Sequence, residues 1–124
     1  MTTSISALAV IDGTLCEFQR DGSRSVGHQP IATAVVEFQR GPMCYFVREH
    51  AYGLLPGMPN LYCLDLDFRL QWLAEWPADE APCASILGHT GDFISATSGS
   101  GAVVRIDAHT GRLISVEHSL AAVG

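Results

Sequence analysis

The chain has 124 residues, 48% of them hydrophobic and only 16% charged, with a formal net charge of −6. That length supports one hydrophobic core rather than two. Seven Arg scattered singly, no Lys and thirteen acidic residues exclude a phosphate-tracking nucleic-acid surface and a patch for anionic lipids. So thin a charged coat predicts that part of the surface is covered in a homo-oligomer.

In chain order, Met1-Thr2-Thr3-Ser4 lacks the basic start of a secretory signal. The apolar run 5–11 is too short to span a bilayer before Asp12-Gly13 intervenes. A cytoplasmic location is therefore the expectation, with Cys16, Cys44, Cys63 and Cys83 reduced. No two of them form a C-x-x-C pair, so they read as buried thiols rather than zinc ligands. Residues 15–26 read as two strands joined at Arg20-Asp21-Gly22, where Asp-Gly supplies the turn. The runs 31–38 and 43–47 flank Arg40-Gly41-Pro42 and are small, β-branched and almost continuously apolar. Such runs predict strands buried on both faces.

Residues 49–60 form the longest predicted loop, and an apolar one. Tyr52, Leu54, Leu55 and Met58 stand among glycines and prolines, where exposed loops normally run polar. Either these side chains fold back over an open end of the core, or they meet a subunit or protein partner. Trp72 and Trp76 belong to the same candidate interface under either arrangement. Residues 61–72 read as a second hairpin, with the aliphatic-Asp step Leu64-Asp65 and no glycine in its turn. Helical evidence is confined to single turns at 70–76 and 79–81 and a terminal turn or frayed tail at 119–123. The strands 84–87 and 93–97 flank Gly88-His89-Thr90-Gly91-Asp92. A third hairpin, 103–114, turns at Asp107-Ala108-His109-Thr110-Gly111. There the Asp carboxylate accepts turn N–H groups and Gly111 supplies a positive φ.

The three hairpins align at a spacing of roughly 42–46 residues, the length of a four-stranded propeller blade. Residues 93–116 resemble the quinoprotein (PQQ-like) type of propeller repeat, in which a strand ends at an aliphatic-Asp step before a Thr-Gly turn. Residues 61–73 are similar, ending at Trp72, and residues 13–26 are a degenerate copy. The resemblance implies an all-β antiparallel meander of blade-like four-stranded sheets, residues 1–124 forming a single propeller-like repeat domain. Closed rings take about 4–8 blades, and the chain offers two and a half to three. Closure by two chains, an open capped stack and a curled meander are all compatible with that shortage, and each leaves an apolar edge to be covered.

The same resemblance raises a quinone cofactor, an associated metal and a catalytic Asp. No matching constellation can be placed here residue by residue, so neither cofactor nor metal is carried over. Asp65, Asp107 and Gly111 read as structural turn residues. His28, His50, His89, His109 and His118 form no i, i+2 or i, i+4 pair for a metal. His89 reads as structural or exposed. Ser98-Gly99-Ser100-Gly101 lies between strands, whereas a nucleophile elbow runs from a strand into a helix, so it reads as a hairpin turn. The sequence therefore points to a non-catalytic protein-interaction or self-assembling module. The alternative is a small hydrolase or carbohydrate-binding enzyme with its site at a subunit junction. A third reading is a decayed relative of a longer propeller.

Overall fold

Alternation along the two central strands explains the architecture. In Cys44-Tyr45-Phe46-Val47, Tyr45 and Val47 enter one core while Phe46 enters another; in Leu61-Tyr62-Cys63-Leu64, Tyr62 and Leu64 join the first, Leu61 and Cys63 the second. A strand apolar on both faces must lie in a sheet covered on both sides. The structure, a computed structural model, describes residues 7–118. Sheet 1 comprises β1 (Ala7–Ile11), β2 (Thr14–Phe18) and β3 (Arg24–His28). Sheet 2 comprises β4 (Val35–Arg40), β5 (Cys44–Glu49), β6 (Leu61–Asp65) and β7 (Leu70–Leu73). Sheet 3 comprises β8 (Cys83–His89), β9 (Phe93–Ser98), β10 (Val103–Asp107) and β11 (Leu113–Glu117). Every pair is antiparallel and consecutive in sequence.

Sheet 2 is the filling of this stack. Leu15, with Leu8 and Val10 against it, meets Val35, Tyr45, Val47, Tyr62 and Leu64 on one side. On the other, Phe46, Leu61, Cys63, Trp72 and Trp76 meet Cys83, Ile86, Ile94, Ala96, Val104 and Ile106. The expected all-β form of antiparallel, blade-like sheets is what the structure has, with three strands rather than four in sheet 1. The sheets do not close on themselves. Among the described residues no helix is long and apolar enough to cross a membrane.

The turns show how local chemistry sets register. Asp12 and Gly13 both have positive φ, 50° and 77°, the pairing that matches hairpin twist. Asp107 Oδ1 accepts from the N–H groups of His109 and Thr110, at 2.8 and 2.9 Å, and Gly111 follows at φ 78°. Asp65 Oδ1 does the same for Asp67 and Arg69, without a glycine. In its place Phe68 takes φ 65°, a conformation costly for an aromatic residue. Packing holds it there: its ring stacks on Tyr45 at 5.5 Å between centroids and lies over Gly27. A Cβ on Gly27 would come within 2.9 Å of Phe68 Cζ. Gly27→Ala should therefore destabilise by about 1–3 kcal/mol through overpacking, read from the midpoint of urea unfolding.

Several expectations change. The strand expected at 31–38 begins only at Val35, because the N–H groups of Ile31, Ala32 and Thr33 are all taken by the Glu49 carboxylate. β4 and β8 are sheet edges with alternating exposure; of the runs 31–38 and 43–47 only the second, β5, is buried on both faces as expected, and β6 joins it. Residues 70–76 form β7 and an extended exit rather than a helical turn, since Trp72 and Trp76 bury on the core side. At 79–81 there is a turn closed by Glu80 N–H on the Pro77 carbonyl. The run 5–11 supplies β1 from Ala7 onward. The tail expected at 119–123 lies outside the described residues.

Candidate functional site

The two ends of the stack differ in chemistry. At one end the turns β4–β5, β6–β7, β8–β9 and β10–β11 surround a cleft of ≈ 330 Å³ between sheets 2 and 3. Phe46, Trp72, Cys44 and Cys63 give it apolar walls, with Asp65, Gln71, Thr90 and His109 around them. Alternation explains the wall: Cys44 and Phe46 share a face of β5, and Cys63 and Asp65 share the same face of the adjoining β6. Burial foremost, and then the neighbouring Cys44, push the Cys63 thiol up to about 12.

At the opposite end lies a buried polar brace. Glu49, the last residue of β5, is 1% exposed. Its Oε1 accepts from Ala32 and Thr33 N–H, both at 2.9 Å, and its Oε2 accepts from Ile31 N–H at 2.6 Å and from the Tyr62 hydroxyl. Burial alone would raise this carboxyl, but the hydroxyl of Tyr62 and the three N–H groups together hold it below its ordinary value. Because Tyr62 donates to Glu49, the His28 Nε2 at 2.6 Å donates to the Tyr62 oxygen. Burial lowers the His28 pKa, opposed by the negative charge of Glu49. Asn60 completes the brace across sheets, donating to the carbonyls of Glu49 and Cys83 and accepting Cys83 N–H. Four donors saturate the Glu49 oxygens, so this cluster positions backbone and offers no free base.

A second carboxylate, Glu80, accepts from Ser98 Oγ at 2.7 Å and Ser100 Oγ at 2.9 Å, with His118 Nε2 at 3.6 Å from its other oxygen. The bond from Ser98 is the leading cause that holds its pKa down. A catalytic triad needs the imidazole between serine and carboxylate. Here the carboxylate sits between the other two. Ser98–Gly101 is the β9–β10 hairpin turn, with Gly101 at φ 93°.

The outer faces of the end sheets form the third candidate surface. Leu8, Val10 and Leu15 face sheet 2, so Ala9, Ile11, Cys16, Phe18 and Val26 lie on the far side of sheet 1. Val26 is 57% exposed. On the far side of sheet 3 a groove of ≈ 470 Å³ is lined by Leu87, Phe93, Val103, Arg105 and Glu117 among others. Arg105 stands over the Phe93 ring at 5.6 Å and reaches Glu117 at 3.7 Å. Its Nε is buried with no acceptor among the described residues.

The six residues named as a candidate interface are not brought together. Tyr52, Leu55 and Met58 are exposed and Leu54 is half-buried, on a loop folded as two successive turns. Trp72 and Trp76 are buried between sheets 2 and 3, their indole N–H groups donating to the Ala108 and Ala81 carbonyls. His89 ends β8 with its ring 5.1 Å from that of Phe46. The brace residues Glu49, Asn60 and Glu80 were not singled out from the sequence. Only Asn60 carried a local signal, as a lone polar residue between Pro59 and the apolar run of β6, whereas Glu49 and Glu80 stand beside other charged residues. In comparisons with known proteins, no family model and no curated sequence matches the chain.

Proposed function

We propose that the chain is a non-catalytic, self-assembling interaction module whose propeller-like sheets stack head to tail on a second copy. The observation that carries this reading is the pair of outer faces on which no described sheet packs, one with Val26 exposed and the other grooved, with an Arg105 Nε that is buried without an acceptor among the described residues. The two faces differ, so their union is heterologous and either closes into a ring or grows. Two copies bring six sheets together, within the about 4–8 of closed propellers. An acceptor from the second copy would satisfy Arg105, and Val26, Phe18 and Ile11 would fill the side of Leu87 and Phe93. The likeness of the hairpins to quinoprotein-type repeats supports the ring form without its cofactor. The exposed Tyr52, Leu55 and Met58 suit a further protein partner, since aromatic and Met side chains favour interfaces. Reduced thiols accord with a cytosolic setting.

Light scattering should return twice the 13.3 kDa chain mass. Val26→Asp and Leu87→Asp each alter an exposed side chain and should each give a folded monomer. Mixed together, the two monomers should dimerise, because one undamaged junction remains between them. A wild type that stays monomeric, or a mixture that does not recombine, overturns the head-to-tail reading.

A further inference from the structure

The cleft between sheets 2 and 3 gathers sulfur. Cys44 opens β5, Cys63 lies on β6, and both side chains line the cleft along with Met43. Met43 is 72% exposed and Cys44 half-buried, while Cys63 is 3% exposed at the inner wall. The three therefore run from solvent to core. We propose that this cleft is a binding site for a soft monovalent cation of the Cu(I) class, held between the Cys44 and Cys63 sulfurs with the Met43 thioether at its mouth.

The donor set selects the ion. Thiolate and thioether ligands favour Cu(I), whereas magnesium and calcium seek oxygen. Zinc in a structural site takes four ligands, and among the described residues no three His, Cys, Asp or Glu come together to hold a metal. Two sulfurs are enough for a two-coordinate soft ion. The strand register separates this use of the pair from a disulfide. Cys44 stands opposite Asp65 and Cys63 opposite Phe46, so the two cysteines are diagonal neighbours. Diagonal Cα atoms in an antiparallel ladder are about 7–8 Å apart, beyond the roughly 4.4–6.8 Å that a disulfide spans. An interposed ion lengthens the reach between the sulfurs. Phe46 and Trp72 restrict water, which disfavours strongly hydrated cations.

Binding is ligand exchange without oxidation: two thiols and one Cu(I) give a bis-thiolate complex of charge −1 and release two protons.

The test is an anaerobic titration of the reduced, full chain with Cu(I), in competition with the coloured chelator bicinchoninate. One equivalent per chain should leave the chelator. Cys44→Ser should weaken uptake by at least about 100-fold, as loss of a direct ligand exceeds the 10–100-fold effects of outer-shell changes. Met43→Leu should weaken it about 10-fold, and Cys16→Ala, on sheet 1, should leave it unchanged. Cys44 is only half-buried, so its variant stays folded, which circular dichroism verifies; Cys63→Ala is the second variant and should also lose uptake. Cu(I) left with the chelator, or retained equally by the Cys44 and Cys63 variants, overturns the proposal. So does a Cys44–Cys63 disulfide formed readily with glutathione disulfide, since that would place the sulfurs too close for an interposed ion.

Discussion

Glu49→Ala is expected to destabilise the fold by about 3–5 kcal/mol, the cost of leaving buried partners of a charged group unpaired. The substitution strands the N–H groups of Ile31, Ala32 and Thr33 and the hydroxyl of Tyr62. It also frees the connection from β3 to β4, one of the ties between sheets 1 and 2 beside their shared apolar core. Domains have only about 5–15 kcal/mol in total, so this single change should leave a large unfolded fraction. Tyr62→Phe should cost less, about 1–2 kcal/mol, because the carboxylate keeps three donors. The pH dependence separates the members of the cluster. The His28 pKa is depressed in the folded state, so its contribution is full above 6.5 and is lost as pH falls below that value. The Glu49 carboxyl is also depressed, so its contribution is full above 4.5 and is lost as pH falls further. Acid should therefore weaken the wild type in two stages. Glu49→Gln should shrink the lower stage, leaving the share of other depressed carboxyls such as Glu80, and deepen the upper one, because removing the negative charge lowers the His28 pKa further. Urea midpoints across that pH range check this, and a Glu49→Gln profile parallel to the wild type would refute the assignment.

The fold was legible where one physical rule dominated. Asp-Gly turns, the Asp107–Gly111 turn and the continuous apolar runs in β5 and β6 each carry their own cause. Phe68 did not, because nothing local predicts an aromatic at φ 65°. Only the Tyr45 ring and the space above Gly27, both distant in sequence, hold it there. β4 was misplaced for a similar reason: Ile31-Ala32-Thr33 has strand propensity, yet a carboxylate beyond the next hairpin captures its N–H groups. The candidate sites were less legible still. Cys44 and Cys63 are far apart in sequence and meet only through the β5–β6 register. Arg105 reads as one of several scattered arginines until the sheet shows its Nε buried with no acceptor among the described residues. Trp72 and Trp76 read equally as core or interface, because bulk and apolarity serve both, and only the packing partner separates them.

Trp72→Ala should cost about 3–5 kcal/mol, lowering Tm by roughly 12–20 °C. Trp72 lies on β7, the outer edge of sheet 2, yet its ring covers the β10–β11 turn of sheet 3 and tilts against Phe46 at 6.1 Å. Its indole N–H reaches the Ala108 carbonyl at 3.3 Å. The seat is close-fitting: a Cβ on Gly111 would approach the ring to 2.7 Å. Gly111 thus answers two demands, a φ of 78° and room for the indole, and no other residue meets both. Nearby, Glu75 N–H donates to the Gly111 carbonyl and the Glu75 carboxylate accepts Leu113 N–H, so the outer edges of sheets 2 and 3 are tied beside the ring. Removing the indole opens a large void in a core that sheet 3 cannot close while those backbone bonds hold, which places the cost at the upper end of aromatic truncations. Trp72→Phe should keep part of the contact and lose the bond to Ala108, costing about 1–2 kcal/mol. Urea unfolding followed by circular dichroism reads both variants, with Trp76 as the remaining fluorophore. A loss below about 1 kcal/mol for Trp72→Ala would mean that sheet 3 is held by Ile94, Ala96, Val104 and Ile106 alone.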